Sequence, residues 1–404
     1  MLTFYSASNG EVNAQKAMNL CLQTALKDLQ VNFPFEEPIL IIIHSTIGHH
    51  FPSLLEEAKR LCPNARLAGC TCNGVTGVEG ANESMRALGI MVVRAEHADE
   101  YQLAFYEDIR PENSYAATRA MAQKLYDQNP NINMVGVLAS GIDIAADRAI
   151  EGIESVFGSS IPIFGGTSSD NMKAISSYQF IDAQLFERGA VMFGFADPTL
   201  KLEMGVHHGS VPIGNPLEVT RSVGNRIFEI DGTPAWAYLM RKLHLPENSH
   251  PGPCIPVAGL AIELPASYQE AYNNAHILRA IVKVEEDQSF YIPVDCEEGT
   301  KVWLVQRDED LIFEGLDHML DQLNTSIAER EIVGVFHTDC AARGRAMFNK
   351  IEKEEILDKM QMALRSNGKK VPWLGMYGLG EFAQINGRNF FHNYTTSIYA
   401  ITRK

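Results

Sequence analysis

The sequence is poor in basic residues and has no long apolar segment, and each absence excludes a class of function. Its 34 Lys and Arg residues are outnumbered by 50 Asp and Glu residues, which leaves a formal net charge of −16. Such a surface repels phosphates and anionic lipids at long range, so we expect neither nucleic acid nor a membrane as the main partner. The longest apolar runs, such as residues 39–43, are far shorter than the roughly 20 residues that cross a bilayer.

Cysteine patterns typical of metal sites and disulfide frameworks are also missing. Cys70 and Cys72 are one residue apart with no second pair at zinc-ligand spacing, and no C-x-x-C-H motif exists for covalent haem attachment. The N-terminus has no basic region followed by an apolar run. The seven scattered cysteines therefore predict reduced thiols, and the whole pattern predicts a cytoplasmic protein without a signal peptide.

The order of helix and strand patterns predicts a mixed α/β (α+β) fold in two parts, with mixed sheets flanked by helices. Apolar residues recur at helical spacing over residues 11–30, whereas buried strands are apolar on both faces. These strands lie at residues 39–43, 134–138 and 332–336. A length of 404 residues is enough for two domains, which we expect at residues 1–199 and 200–404.

Two stretches of the chain repeat one order of events. In the first, a strand ends at His44 and a helix leads to a turn from Gly69 to Gly74; in the second, a strand ends at His337 and a helix leads to a turn from Gly375 to Gly380. One interpretation is an internal pseudo-duplication in which both turns and both histidines face one cleft. The other is ordinary α/β connectivity, which produces the same order. Strands at 85–93 and 101–106 are expected to pair with each other, and a further strand is expected over residues 389–400 after the second turn.

Polar side chains follow a buried strand at a third glycine-rich turn. Gly165 and Gly166 precede Thr167, Ser168 and Asp170. Free backbone N–H groups and side-chain oxygens that converge at such a turn suit a polar ligand. A tight turn capped by the aspartate is the structural alternative.

Several motifs, taken together and in this order, resemble the FIST family, a sensory module with an N-terminal and a C-terminal part found in bacterial signal-transduction proteins. Val75 stands where the family usually has an acidic residue. The matching segments are Gly69–Gly74, Phe164–Asp170, Pro212–Gly214, Cys340–Arg343 and Phe391–Thr395.

The resemblance implies a ligand sensor and not an enzyme. FIST modules have been proposed to bind small ligands such as amino acids, and some stand-alone members are haem-binding nitric-oxide sensors that regulate a partner histidine kinase. Because the two FIST-like parts use the whole length, we expect output in trans to a signalling protein. That partner would be the histidine kinase of a two-component system or a cyclic-dinucleotide enzyme, and homodimer formation is left open.

Haem b would need an axial ligand at the edge of an apolar pocket. His392 is the first candidate for the haem iron, since aromatic residues that include Phe391 and Tyr394 surround it in sequence. His208 is the second candidate, and His44 and His337 follow from the duplication. The alternative is that these histidines are hydrogen-bonded structural residues.

A polar ligand bound without haem would need a cation and a carboxylate. Arg343 can hold a ligand carboxylate through two parallel hydrogen bonds, and Glu381 can hold an ammonium group. The turn residues Gly165, Gly166, Thr167, Ser168, Asp170 and Gly380 would add hydrogen bonds. The alternative is that Arg343 and Glu381 satisfy each other.

A Cys-dependent hydrolase is the third interpretation. Cys340 would be the nucleophile and His337 its base, three residues apart at a strand end. No third group that would orient the base is apparent, and a free cysteine is equally typical of a buried core.

Overall fold

The computed structural model describes residues 1–173, 175–249 and 259–404, and in these ranges the chain repeats one structural unit three times. Each unit has the order strand, helix, strand, helix, strand, hairpin, strand. The first unit contains β1 (Thr3–Asn9), α1 (Ala14–Ala25), β2 (Ile39–Thr46), α2 (Phe51–Leu61), β3 (Arg66–Cys72), β4 (Val75–Gly77), β5 (Gly80–Asn82) and β6 (Leu88–Arg94). The second contains β7 (Tyr101–Tyr106), α3 (Ser114–Gln128), β8 (Met134–Ser140), α4 (Ala146–Phe157), β9 (Ile163–Ser168), β10 (Gln179–Ile181), β11 (Gln184–Phe186) and β12 (Ala190–Phe195).

The third unit carries a long insertion after its first strand, β13 (Leu200–His207). The insertion contains β14 (Ser210–Val223), β15 (Arg226–Ile230), β16 (Thr233–Pro234), α5 (Ala235–Lys242), β17 (Leu260–Glu263), α6 (Ala266–Tyr272), β18 (His276–Arg279), β19 (Lys283–Val284), β20 (Phe290–Tyr291) and β21 (Lys301–Arg307). The unit then resumes with α7 (Glu309–Ile327), β22 (Glu331–Cys340), α8 (Lys350–Ala363), β23 (Trp373–Gly378), β24 (Glu381–Ile385), β25 (Arg388–His392) and β26 (Thr396–Arg403). None of the described helices is long and apolar enough to span a bilayer.

The three units exchange their hairpins in a cycle. Sheet 1 has the order β1-β6-β2-β3-β10-β11, sheet 2 the order β7-β12-β8-β9-β24-β25, and sheet 3 the order β13-β26-β22-β23-β4-β5. The hairpin of the second unit thus completes sheet 1, that of the third completes sheet 2, and that of the first completes sheet 3. The insertion forms a fourth sheet of its own, in which β14 pairs with β21 and β15.

Backbone registers define equivalent residues in the three units. Gly69, Gly165 and Gly375 lie at the same position of the parallel pairs β2/β3, β8/β9 and β22/β23. Just beyond, the units are joined by a cyclic set of three backbone hydrogen bonds around a pseudo-threefold axis. Asn73 N–H donates to the carbonyl of Tyr377 (2.9 Å), Ser169 N–H to that of Thr71 (3.1 Å) and Leu379 N–H to that of Thr167 (3.1 Å).

One face of each sheet is buried in a shared core, and the other is covered by a pair of helices. The central core contains Phe164, Phe193, Phe336 and Met376, from the second and third units. Separate clusters lie under α1 and α2, under α3 and α4, and under α7 and α8. The amphipathic pattern of residues 11–30 therefore marks a helix that covers one face of sheet 1.

The mixed α/β architecture with sheets flanked by helices is confirmed, and the internal repetition is threefold where the sequence suggested two copies. The expected division at residue 199 falls between the second and third units. The two turns do correspond, but the two histidines do not, because His337 is equivalent to Ile43 and His44 to Thr338. Since side chains alternate along a strand, His44 and His337 lie on opposite faces at corresponding positions of their own sheets.

Two strand predictions were wrong in detail. Residues 85–93 and 101–106 do not pair, because β6 lies in sheet 1 between β1 and β2 while β7 pairs with β12 in sheet 2. The predicted strand over residues 389–400 is split into β25 and β26. Tyr394, at the break, has a left-handed backbone with φ of 59°. The described cysteines are free and buried, and Cys254 lies outside the described residues.

Candidate functional site: a buried polar cluster in the third unit

A buried arginine follows the central strand of the third unit. β22 ends at Cys340 and continues as a 3-10 turn over Ala341–Arg343. The Arg343 Nε donates to Asp339 Oδ1 (2.9 Å), and Nη1 donates to the carbonyl of His208 (3.2 Å). The Arg343 side chain is only 2% exposed, yet Nη2 has no hydrogen-bond partner among the described residues. A buried donor without an acceptor is costly, so Nη2 needs a partner such as a water molecule, an ion or a ligand.

Glu381 at the start of β24 presents a complementary unpaired atom. Its side chain is fully buried; Oε2 accepts a hydrogen bond from the Thr395 hydroxyl (2.6 Å), and Oε1 has no partner within the described ranges. Burial raises the pKa of Glu381 well above its ordinary value, and the nearby Asp339 carboxylate adds to this shift. Arg343 also acts electrostatically on Glu381, so the two groups lie within each other's field.

The two other units show that the fold does not require a charge at the Glu381 position. Val75 and Gln179 occupy that position in the equivalent hairpins. The Gln179 side-chain oxygen accepts from the Gly189 N–H, and its amide nitrogen donates to the Ser168 hydroxyl. The same backbone arrangement therefore forms with a neutral residue at this position, and only the third unit has a carboxyl group there.

The same comparison holds for the third residue after the central strand. This residue is Arg343 in the third unit, His49 in the first and Asp143 in the second. The His49 ring contacts the Ser45 hydroxyl (3.1 Å) and the carbonyl of Glu11 (2.9 Å). Since His49 is satisfied at both nitrogens, a partly unsatisfied Arg343 is not a requirement of the fold.

A small cavity adjoins Arg343. Its volume is about 10 Å³, which is close to the minimum that holds one water molecule. The lining residues come from the strands and from α8 and its approach, and they are Thr76, His337, Asp339, Arg343, Phe348, Lys353, Ile356, Leu357, Met360 and Tyr377. Glu381 is not among them, so a ligand that touched both charged groups would have to displace part of this wall.

The two leading haem candidates are engaged as structural residues. His392 Nε2 donates to the carbonyl of Ala383 (3.3 Å) and Nδ1 contacts the Tyr272 hydroxyl (3.4 Å). His208 Nε2 donates to the carbonyl of His276 (3.0 Å), while Nδ1 accepts from the N–H of Ser210 (2.9 Å).

Neither histidine has a nitrogen left for an iron atom. Burial lowers the pKa of His392 to about 3. No group of three or more metal-ligating side chains occurs in the part of the chain that the structure describes. The residues as placed do not fit haem, and haem binding stays a prediction from the sequence.

The predicted Cys–His pair is not assembled. His337 Nδ1 contacts Thr76 Oγ1 and Nε2 contacts Thr396 Oγ1, both at 2.9 Å. Burial lowers the pKa of His337 to about 3 and raises the pKa of the Cys340 thiol to about 12. Cys340 is therefore a thiol at neutral pH and lacks the thiolate character of a nucleophile. The His44 ring contacts the backbone of Gly375 on β23, its Nδ1 has no hydrogen-bond partner among the described residues, and burial lowers its pKa to about 4.

The glycine-rich turn at residues 165–170 is held by its own hydrogen bonds. Thr167 N–H donates to the carbonyl of Gly380 (2.9 Å), and the Ser168 hydroxyl donates to the carbonyl of Ala139 (3.1 Å). The Asp170 carboxylate accepts from the backbone N–H groups of residues 173, 175 and 176. The structural alternative, a turn capped by its aspartate, accounts for these contacts.

The remaining residues that the sequence predicts for the site have structural roles in close packing. A Cβ at Gly166 would meet Thr338 Cγ2 at 2.6 Å, and one at Gly380 would meet the Phe391 ring at 2.2 Å. Phe391 packs edge-to-face on Phe382 with ring centroids 5.0 Å apart. Tyr394 is buried, with the Arg307 guanidinium 5.5 Å from its ring centroid.

Sequence reasoning missed several members of the cluster. Asp339 gave no usable signal, because the pairing of charges four residues apart holds within a helix, whereas Asp339 lies in β22 and Arg343 in the 3-10 turn that follows. Tyr272, whose pKa is raised by burial and which lies in the field of Arg343 and Glu381, comes from the inserted segment and gives no signal of its own. Thr76 comes from the first unit, which local sequence cannot connect to this site.

Two models of known protein families match most of the chain. The FIST N domain matches residues 39–233, and the FIST C domain matches residues 252–384. The chain belongs to the FIST family. FIST domains are sensory domains of signalling proteins and bind small ligands, which makes this a sensory protein.

Solved structures resemble this FIST protein only distantly. One is described as "Cyanuric acid hydrolase: evolutionary innovation by structural concatenation", at 11% identity, a TM-score of 0.34 and full coverage of both chains. Another is PurLQS from Thermotoga maritima, at 8% identity and a TM-score of 0.20, covering 100% of this chain and 72% of that one. TM-scores below 0.5 carry no functional conclusion. Comparison with curated proteins gives no match.

The buried carboxyl of Glu381 predicts a pH-dependent stability. Because the folded protein holds this proton to a higher pH than the unfolded chain, the carboxyl favours folding below the unfolded pKa. That contribution is lost as pH rises toward the folded pKa, by up to about 1.4 kcal/mol per pH unit. Glu381→Gln removes the loss, so urea unfolding should show the variant gaining stability relative to wild type as pH rises above about 4.3, the ordinary pKa of a glutamate. A difference that stays constant with pH would contradict this assignment.

Proposed function

We propose that this FIST protein senses a small zwitterionic metabolite of the amino-acid class. Arg343 binds the carboxylate of the ligand and Glu381 binds its ammonium group. The observation that supports this is the pair of unsatisfied buried atoms, Arg343 Nη2 and Glu381 Oε1, one a donor and the other an acceptor. An α-amino acid supplies both partners, because its carboxylate accepts hydrogen bonds and the ammonium group on the neighbouring carbon donates them.

Charge complementarity supports the same ligand class. A carboxylate at Arg343 makes charge-assisted hydrogen bonds, which are about twice as strong as neutral ones. An ammonium group at Glu381 favours the ionised carboxylate and opposes the effect of burial on its pKa. Binding therefore releases a proton, and the affinity rises with pH until Glu381 is ionised in the free protein.

Signal output passes to a separate protein, and we propose no catalytic step. The partner that we propose is a histidine kinase or a cyclic-dinucleotide enzyme that acts in trans. The raised pKa of Cys340 and the threonine contacts of His337 favour a sensor over a hydrolase. Hydrolysis of an activated ester that depended on Cys340 would favour the hydrolase instead.

Calorimetry and thermal unfolding with a panel of amino acids test the proposal. A ligand present at 100 times its Kd should raise the free energy of unfolding by about 2.7 kcal/mol. Arg343→Lys and Glu381→Gln should each remove the effect, whereas Asp143→Asn, at the position equivalent to Arg343 in the second unit, should leave it intact. Proton release should appear as a dependence of the binding enthalpy on the buffer.

Absence of any stabilising amino acid would contradict the proposal. A haemin titration is the companion measurement: a sharp Soret band that shifts with nitric oxide and disappears in His392→Ala would establish the haem version instead. Since both nitrogens of His392 are engaged, we expect no such band.

A further inference from the structure

The cavity beside Arg343 is closed by the segment that leads into α8. Phe348 is 5% exposed, and the Arg343 guanidinium lies 5.7 Å from its ring centroid. Lys353, Ile356 and Leu357 from α8 complete the wall. The helix begins after a capping box, in which Asn349 accepts from the Glu352 N–H and Glu352 accepts from the Asn349 N–H. A ligand larger than one water reaches Arg343 only if this wall moves.

One carboxylate of the first unit holds the segment in place. Glu83 Oε1 accepts from the backbone N–H of Arg345 (2.9 Å), and Oε2 forms an ion pair with Lys353. The Glu83 carbonyl accepts from Arg345 Nη1 (3.3 Å). The Glu83 and Lys353 side chains are 6% and 13% exposed, so water screens this pair little. A Cβ at Gly344 would lie 2.4 Å from Glu83 Oε1, which shows how closely the carboxylate fits the segment.

The second unit contributes a further contact. Arg345 Nη2 donates to Asn171 Oδ1. Asn171 and Met172 are both left-handed, with φ of 64° and 67°, and the Met172 N–H donates to Asn73 Oδ1 (3.0 Å). For a side chain such as Met172 this backbone conformation is strained. The segment is thus clamped from loops of both other units.

We propose that residues 344–353 are a lid over the ligand site and that Glu83 is its latch. This inference rests on the proposed function for the role of the site, but the latch itself is a property of the ligand-free protein. Loss of the two contacts that the Glu83 carboxylate makes with Arg345 and Lys353 frees Phe348 from the Arg343 guanidinium and opens the cavity to solvent. A ligand carboxylate that approaches Lys353 on its way to Arg343 competes with Glu83 for the Lys353 ammonium group, which couples entry to opening.

The Glu83–Lys353 pair differs from other ion pairs of the same helix. Lys359 on α8 pairs with Asp317 on α7 at 2.7 Å, but these side chains are 36% and 55% exposed. Exposed pairs contribute little to stability, whereas loss of one partner of a nearly buried pair leaves an uncompensated charge. Asp317→Asn is therefore a matched control for Glu83→Gln, because both change one carboxylate partner of α8 to an amide.

Hydrogen exchange of the full chain without ligand tests the lid. Glu83→Gln and, separately, Lys353→Gln should speed exchange of backbone amides in residues 344–357 on the order of tenfold, while Asp317→Asn should leave those amides unchanged. Equal exchange in wild type and in Glu83→Gln, with the folded state confirmed by circular dichroism, would overturn the latch.

Binding kinetics provide the second measurement. With an amino acid that stabilises the wild type, Glu83→Gln should raise the association rate constant on the order of tenfold, since opening no longer breaks the latch. An unchanged rate constant would overturn the role of the lid in ligand entry. If no amino acid binds, the proposed function fails, and the exchange experiment still decides whether the lid exists.

Discussion

Arg343→Met should lower the free energy of unfolding by about 3–5 kcal/mol, the usual result of removing one partner from a buried ion pair. Asp339 is 4% exposed and receives a side-chain hydrogen bond from Arg343 at 2.9 Å. Without the guanidinium, the Asp339 carboxylate is buried next to an apolar chain. Urea unfolding monitored by circular dichroism gives the change directly.

The double variant Asp339→Asn/Arg343→Met isolates the cause. Because it removes both charges, it should recover most of the stability lost in Arg343→Met, in line with other buried pairs replaced by neutral groups. It should nevertheless fail to bind the ligand, since the carboxylate partner is gone. A double variant as unstable as Arg343→Met would mean that the arginine stabilises the fold through its packing and not through its charge.

Gly165→Ala should be among the most destabilising single substitutions in the chain, at about 4 kcal/mol or more. Gly165 has φ of 108°, and a Cβ there would lie 2.4 Å from the carbonyl oxygen of Val137 on the neighbouring strand β8. The backbone strain and the collision with another backbone add, and neither can be relieved by a side-chain rotation. Unfolding free energies in urea measure the effect.

Gly158→Ala separates the two contributions. Gly158 also has a positive φ, 87°, but no atom of the described residues lies within 4 Å of the position where its Cβ would be. Only the backbone strain remains, so we expect a loss of about 1–3 kcal/mol. Equal losses for Gly158→Ala and Gly165→Ala would show that the approach of β8 is not the limiting contact.

Local sequence predicted the elements well where the residue pattern is set by burial. The runs at 39–43, 134–138 and 332–336 are apolar on both faces because each is the buried central strand of its own sheet. The helices were likewise visible from the spacing of their apolar residues. The correspondence of the two turns, Gly69 to Gly74 and Gly375 to Gly380, was also recovered, since both serve equivalent backbone positions.

The partners of each element could not be read from local sequence. The third copy, with Gly165, was not recognised because its hairpin follows a longer loop and its turn continues with Asp170 where the others have glycine. The hairpin exchange joins residues more than 200 positions apart, such as Gly166 and Glu381. Contacts of that kind depend on the whole fold. Arg343 and Glu381 can be paired from the sequence because their charges are complementary, whereas nothing in the local sequence connects Glu83 to Arg343.

The cyclic placement of the hairpins has a consequence for how this sensor could be divided. A fragment that starts at residue 200 would keep Arg343 and Glu381 but lose Thr76 and Glu83, and β23 would be left with an unpaired edge. Exposed strand edges promote association between chains. The part of the chain that carries the proposed ligand site is therefore not a module that can be transplanted alone, since its integrity depends on a segment translated nearly 300 residues earlier.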